Sequence, residues 1–573
     1  MQQRRTVDPA PILEIALAIA LVWFAVQAVQ LARLKSFSID EFQYAHAAWL
    51  VADGQVPYRD FFEVHFPLVY QVLSPVFIVA GDDPTAIAGM RLGMLPFLAM
   101  GCAAVLLLNV RQNRLAALAA PVLLLALPPF VILATEIRPD AAAAALFLAS
   151  LGVLRITRLS DPVCGAASGF LLVASAWGSQ KAAFYGSIYA LALIADLVAR
   201  RSDHAHGARP LLRSPAAFVG GVTAGLAVIA IYLTATGSWD DWWNWCFVWA
   251  VEHQRRYPGF SWRRHFDPIV IDAAGVFLLA AWGLALTLRT LGARGRLAMR
   301  DPDLLLVAAL ASTFASFALQ RAPYPYSFLA FLAVVTVFAA RGVGDLLAAR
   351  TRPVVRAVIA IGLLAVLAAQ GAKLTALMAV SNTAQLDVLA RVGQLTAPDD
   401  PAYDNSGGYV ARPHAYSYFY TDLFLRESMA ETLMRDVPRA IMERGAVLHL
   451  RDLRFDTLPP GLQTFLDRHF QPFDGDVALW GQRYVVPPGG AVADTFLASR
   501  DDRYFVSPPT ALERGVLTID GEPVREPVFR LSRGEHGVAY QGPPGELNIL
   551  WLPRDFTRWE PRRGLLPTFS RLF

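Results

Sequence analysis

Residues 11–34, PILEIALAIALVWFAVQAVQLARL, run directly into residues 35–46, KSFSIDEFQYAH. The first stretch is long and apolar enough to cross a hydrocarbon core, which needs about 20 mostly apolar residues. It carries no small-residue cleavage site and reads as a retained span, not a signal peptide. The second stretch places two adjacent carboxylates, Asp40 and Glu41, where the chain re-enters water. Ser38, Ile39, Asp40 and Glu41 have the spacing of a capping box, which accounts for Glu41 as a brace at a helix start. Asp40 is not needed by the box. It reads either as a first-turn acid favoured by the helix dipole or as a working group.

The rest of the chain follows the first span. Of its 573 residues 55% are apolar and 17% charged, against about 25% charged in soluble domains. The mean hydropathy is +0.40. The formal charge of +4 is too small to suggest nucleic acid as a partner. Cys102, Cys164 and Cys246 are scattered, which suggests neither a disulfide framework nor a metal cluster. Eleven spans are expected, at 11–34, 86–110, 115–134, 141–155, 163–179, 182–198, 215–236, 268–288, 304–319, 327–340 and 354–374. Residues 66–80 are also apolar. Counting them as a span would put Arg111 and Arg114 outside, against the positive-inside rule, so they read as an interfacial or re-entrant helix broken at Pro75. With the N-terminus and its Arg4 and Arg5 cytoplasmic, Arg155, Arg158, Arg289, Arg294, Arg352 and Arg356 fall on the inside. Residues 375–573 then lie outside.

This predicts an α-helical polytopic membrane protein with a wet C-terminal region. Residues 1–374 form the membrane domain. Residues 375–490 form an α/β region, from MAETLMRDVPRAIMERGA followed by VLHLRD. Residues 491–573 form a β-rich, sandwich-like region, from glycine-punctuated runs such as GVLTIDG and LNILWLP.

Ionisable groups near membrane spans are costly and usually functional. The first outer loop, 35–66, carries Asp40, Glu41, His46, Asp53, Arg59, Asp60, Glu63 and His65. Other outer turns carry Arg138 and Asp140 in TEIRPD, Lys181 in a tight turn, Arg255 and Arg256 in a Trp-rich loop, and Tyr324 and Tyr326 in QRAPYPY. Lys181 is one of three lysines, with Lys35 and Lys373, in a chain whose other basic residues are arginine. Head-group anchoring explains Arg255 and Arg256 as well as ligand binding does, and an interfacial belt explains most of the six tryptophans between 239 and 262. No tight ligand spacing joins His46 or His65 to Asp40 or Glu63, so a divalent metal has no support in the spacing.

The run SIDEFQYAHAAWLVADGQVPYRDFFEVHFPLVY, 38–70, resembles the first outer loop of the GT-C glycosyltransferases. Family 39 is the nearest type, which includes protein O-mannosyltransferases and the bacterial aminoarabinose transferase of lipid A. The resemblance rests on the Asp40-Glu41 pair, the Gly-x-x-Pro-Tyr-x-Asp segment Gly54–Asp60 and the turn Phe62–Pro67. It continues weakly through Arg138-Pro139-Asp140, Lys181 and Pro323–Tyr326. It implies transfer of a sugar from a polyprenyl-phosphate carrier to a lipid, glycan or protein acceptor on the outer face of a bacterial cytoplasmic membrane, with the C-terminal region periplasmic. It implies Asp40 as base and Glu63 as a second acid, with Glu41 a second-line acid. It also implies Lys181, Arg138, Arg255 and Arg256 on the carrier phosphate, and Tyr58, His65, Asp140, Tyr324 and Tyr326 lining the site. No cofactor is implied. The Glu-Lys-Pro turn of aminoarabinose transferases is here Glu63-Val64-His65-Phe66-Pro67, which argues against carrying over that donor or acceptor. A lipid-linked saccharide transporter or polymerase, or a non-catalytic envelope glycan assembly protein, would explain the spans but not the acidic loop.

Overall fold

The computed structural model describes residues 10–201, 212–254, 259–294, 301–348, 351–418, 420, 426, 428–555 and 569. Arg4, Arg5, Arg255 and Arg256 lie outside the described residues. The chain divides into two compact units. One comprises Met1–Lys35, Val64–Leu73 and Ala88–Ser381; the other comprises Ser36–Glu63, Ser74–Ile87 and Asn382–Phe573.

The first unit is helical, and it makes the protein a multi-pass membrane protein. Among the described residues six helices are long and apolar enough to cross a bilayer: Pro11–Leu34, Ala86–Asn109, Pro215–Thr236, Ala274–Arg294, Pro325–Leu346 and Pro353–Leu377. A seventh candidate, Arg114–Leu125 with Pro128–Thr135, bends by 70° at its break. The cause is the Pro128-Pro129 doublet, which can start a helix but not continue one. Each of the eleven expected spans falls on helix, yet several are shorter than a straight crossing, including Pro139–Val153 and Pro302–Ala318. The run at 66–80 is two six-residue helices, Leu68–Leu73 and Pro75–Ala80, meeting at Ser74.

Burial sorts these helices. The helix ending at Leu346 is wholly buried, whereas Pro215–Thr236 is only 22% buried and presents the rest outward. Small residues let neighbours approach closely, as expected where lipid removes the hydrophobic drive between helices. A Cβ on Gly169 would lie 2.1 Å from the carbonyl oxygen of Phe218, and one on Gly221 would lie 2.0 Å from that of Ala166. Gly283 and Gly342 play the same part between Ala274–Arg294 and Leu329–Leu346. Asp303 is shared by Arg155 at 2.8 Å and Arg341 at 2.9 Å, tying three helix ends together.

The second unit is mixed. Its larger sheet runs Ala402–Tyr403, Leu448–Leu450, Val477–Val486, Gly545–Trp551, Asp502–Ser507, Val528–Leu531, with Phe470–Asp474 also on Val477–Val486. Only the first pair is parallel. A four-stranded antiparallel sheet runs Ala491–Ala498, Gly534–Gln541, Val516–Ile519, Glu522–Pro523. Gly534–Gln541 turns His536, Val538 and Tyr540 inward and alternates them with exposed residues, the period of a half-buried strand. The larger sheet takes strands from both sides of residue 490.

Candidate functional site

The proposed site residues fall into two constellations, one in each unit. In the mixed unit, the helix Ile39–Ala52 begins at Ser38, whose extended backbone is that of an N-cap. Oε2 of Glu41 accepts the Ser38 amide at 2.9 Å and the Ser38 hydroxyl at 3.3 Å. Glu41 is fully buried and is used as a brace. Asp40, one residue earlier on the first turn, points elsewhere. Its side chain is 20% exposed, and its Oδ1 accepts from Nη2 of Arg454 at 3.2 Å.

Arg454 is itself fixed. Its Nη1 donates to the Asn405 carbonyl at 3.1 Å, and its amide donates to Oδ1 of Asp452 at 2.8 Å. Asp452 accepts the Ser406 hydroxyl at 2.6 Å, and burial pushes its carboxyl up to about 6. The segment YDNSGGY, 403–409, wraps around a second carboxylate. Asp404 accepts the amides of Ser406, Gly407 and Gly408 at 2.8, 2.5 and 2.9 Å. Gly407 has φ +68°, and a Cβ there would sit 2.7 Å from Cβ of His46, so only glycine lets this loop lie against the helix. The His46 ring donates through Nδ1 to the Val410 carbonyl at 2.6 Å. Burial first, then the neighbouring His414, lowers its pKa to about 3. His449, buried among aromatic rings, is held at about 4 chiefly by burial.

The Gly54–Asp60 segment closes on itself. Asp60 accepts the Val56 amide and the Arg59 guanidinium, each at 2.8 Å, and the Arg59 bond holds its carboxyl below the usual range. Tyr58 is buried with φ +75°, a left-handed backbone that a bulky side chain rarely adopts. Glu63 is fully buried at the end of this loop. His65, half-buried, belongs to the helical unit.

In the helical unit, Pro139 fixes the first helical position of Pro139–Val153 and drives Arg138 before it into extended backbone. Arg138 therefore stands outside the helix and Asp140 within its first turn. Nε of Arg138 donates to Oε2 of Glu136 at 2.7 Å, and Oε1 of Glu136 pairs with Lys35. All three side chains are almost wholly buried. Lys181 pairs with Asp140 at 2.9 Å, and the Ser179 hydroxyl donates to the same carboxylate oxygen at 3.1 Å. Both cations lie against one ring: Lys181 Nζ is 4.4 Å and Arg138 Cζ 5.1 Å from the centroid of Tyr326, within cation–π range. Tyr324 stacks on Tyr326 at 5.7 Å. The structure thus gathers Arg138, Asp140, Lys181, Tyr324 and Tyr326.

No family model matches the chain. No curated protein matches it either. ArnT from Cupriavidus metallidurans in the apo state is similar in structure, with a TM-score of 0.54 at 13% identity, over 82% of this chain and 97% of that one. The same protein bound to undecaprenyl phosphate gives 0.51 at 13%, over 83% and 98%. The chain thus shares the fold of that protein.

Sequence reasoning missed Arg454, Asp452 and Asp404, which lie in segments read only as strand and turn. The signal available was three charged residues within LRDLR directly after an apolar strand. It also passed over Glu136, although TEIRPD was singled out and Lys35 noted. Among the described residues, no group of three or more His, Cys, Asp or Glu is placed to hold a metal ion.

Proposed function

We propose that this chain is an integral-membrane glycosyltransferase moving a sugar from a polyprenyl-phosphate carrier to the hydroxyl of a lipid, glycan or protein acceptor. The observation that carries this reading is the division of labour at the helix start. Glu41 is used in the cap, whereas Asp40 is partly exposed and accepts from Arg454. A carboxylate so held suits a general base. An acceptor hydroxyl is a weak nucleophile and needs a base within about 2.6–3.2 Å. The GT-C fold, one example of which has been crystallised with undecaprenyl phosphate, supports the carrier class.

In this reaction the acceptor oxygen attacks the anomeric carbon and gives its proton to Asp40. The bond from that carbon to the phosphate oxygen breaks, and the carrier phosphate leaves with the electron pair. Fixed cations stabilise the charge that develops on it, since they act most strongly where charge appears in the transition state; by the family resemblance Arg138 and Lys181 are the candidates. A single displacement inverts the anomeric centre. The arginine distribution supports residues 375–573 outside the membrane, and the family resemblance supports a bacterial cytoplasmic membrane as the setting.

Asp40→Asn tests the reading directly. Transfer of label from a panel of undecaprenyl-phosphate hexoses and pentoses to extracted envelope should fall about 10²- to 10⁴-fold, while undecaprenyl phosphate still binds. Undiminished transfer would remove Asp40 as base, and an anomeric NMR signal of retained configuration would remove the single displacement.

A further inference from the structure

The tail of this chain holds a cation against the proposed base. Arg454 is some 400 residues from Asp40 in sequence, yet both belong to the same compact unit. Its guanidinium reaches Asp40 through Nη2 at 3.2 Å and is held from the other side by the Asn405 carbonyl at 3.1 Å. Its backbone is fastened to Asp452, which is fastened to Ser406. Ser406 sits in the loop that the Asp404 carboxylate pins through three amides. The side chain is only 9% exposed. A surface arginine with such an exposed partner would gain little from the pair. Here the arginine is buried, the stem is immobilised at both ends, and the one group it presents to a partly exposed carboxylate is a charged donor of fixed direction.

We infer that Arg454 is a positioning residue for the glycosyl transfer: it fixes the orientation of the Asp40 carboxylate for proton abstraction. The C-terminal region then contributes to the chemistry itself, in addition to any acceptor it binds. This inference rests on the functional reading above. The capping box of Glu41 fixes the backbone of Asp40, and Arg454 fixes its side chain. Orientation matters because a base displaced by about 1 Å can lose 10² in rate.

The test is Arg454→Gln in the full-length protein in detergent or nanodiscs, with the same undecaprenyl-phosphate sugar panel. Transfer at saturating donor should fall about 100-fold, while the Kd for undecaprenyl phosphate stays within about threefold and the unfolding midpoint is kept. Arg454→Met keeps the unbranched stem in its buried track and carries the same expectation if the Gln variant does not accumulate. Wild-type turnover in either folded variant overturns the inference, as does a loss that appears as weaker carrier binding. The two claims fail separately. If Asp40→Asn transfers normally, the functional reading is wrong; if Asp40→Asn is dead and Arg454→Gln is not, only the role of Arg454 is wrong.

Discussion

Lys181 divides its charge between two partners of different kinds, the Asp140 carboxylate and the face of Tyr326. Arg138 shares that face and has Glu136 as its own counter-ion. A ring that serves two cations can be tested apart from its hydroxyl. Tyr326→Phe should keep the affinity for undecaprenyl phosphate, and Tyr326→Leu should lower it about tenfold, from a cation–π contribution of roughly 0.5–2 kcal/mol. Equal affinities across the three proteins, measured by titration in nanodiscs, would make the ring a mere spacer. Lys181→Ala should weaken the same binding, and unaltered affinity would make the lysine structural. At this scale much was legible. Pro139 after Arg138, and a lysine between two apolar runs, are local signals with local consequences. Arg454 was not legible, because nothing near it in the chain names a partner some 400 residues away.

Helix pairing in the membrane unit depends on surfaces without side chains. Gly165 and Gly169 on Asp161–Gly178 lie against Ser214, Phe218 and Val222, while Gly221 and Gly225 on Pro215–Thr236 lie against Ala166 and Val173, each pair of glycines spaced by four. Gly221→Leu should force the two helices apart, since even a Cβ would reach within 2.0 Å of backbone oxygen. We expect a lower thermal midpoint in detergent and loss of monodispersity, whereas Gly220→Leu, where no atom lies within 4 Å of the added Cβ, should be tolerated. The spacing of these glycines is written in the sequence, but which helix receives them is not. The same limit explains the spans: each expected span falls on helix, and the break before Pro75 is expected. Helix length, the 70° bend at the proline pair and the short helices Trp239–Trp243 and Arg263–Asp272, which start in a stretch read as loop, come from packing and backbone chemistry.

Across a whole unit, buried ionisable groups set the response to acid. His46 and His449 have pKa values of about 3 and 4 in the folded state, against 6.5 unperturbed. Their contribution to stability is present above about pH 6.5 and is lost as pH falls towards those folded values, because the unfolded chain binds the protons first. Asp452, raised to about 6 from 3.8, acts in the opposite sense: its contribution is present at low pH and is lost as pH rises through 6. With His469, also lowered to about 4 chiefly by burial, three histidine effects outweigh one smaller carboxyl effect, so the mixed unit should lose on the order of several kcal/mol between pH 6.5 and 4. Unfolding midpoints of the full chain against pH would measure this, and His449→Phe should flatten the slope. A midpoint that stays level, or rises on acidification, would contradict the burial of these rings.

The unit that holds the proposed base joins residues 36–63 and 74–87 to residues 382–573, far apart in the chain. Helix Ile39–Ala52 is synthesised early, and Arg454 and the strand Gly545–Trp551 at the middle of the larger sheet come only after every membrane helix. At about 5–20 residues per second this separation is on the order of tens of seconds. For that interval the acidic helix waits without the arginine and without the loop that buries His46. A ribosome-bound chain already inserted in the membrane would therefore have a complete set of spans and no assembled base. On the proposed reading, a premature stop between residues 382 and 454 would leave the described spans in place without the arginine that faces Asp40.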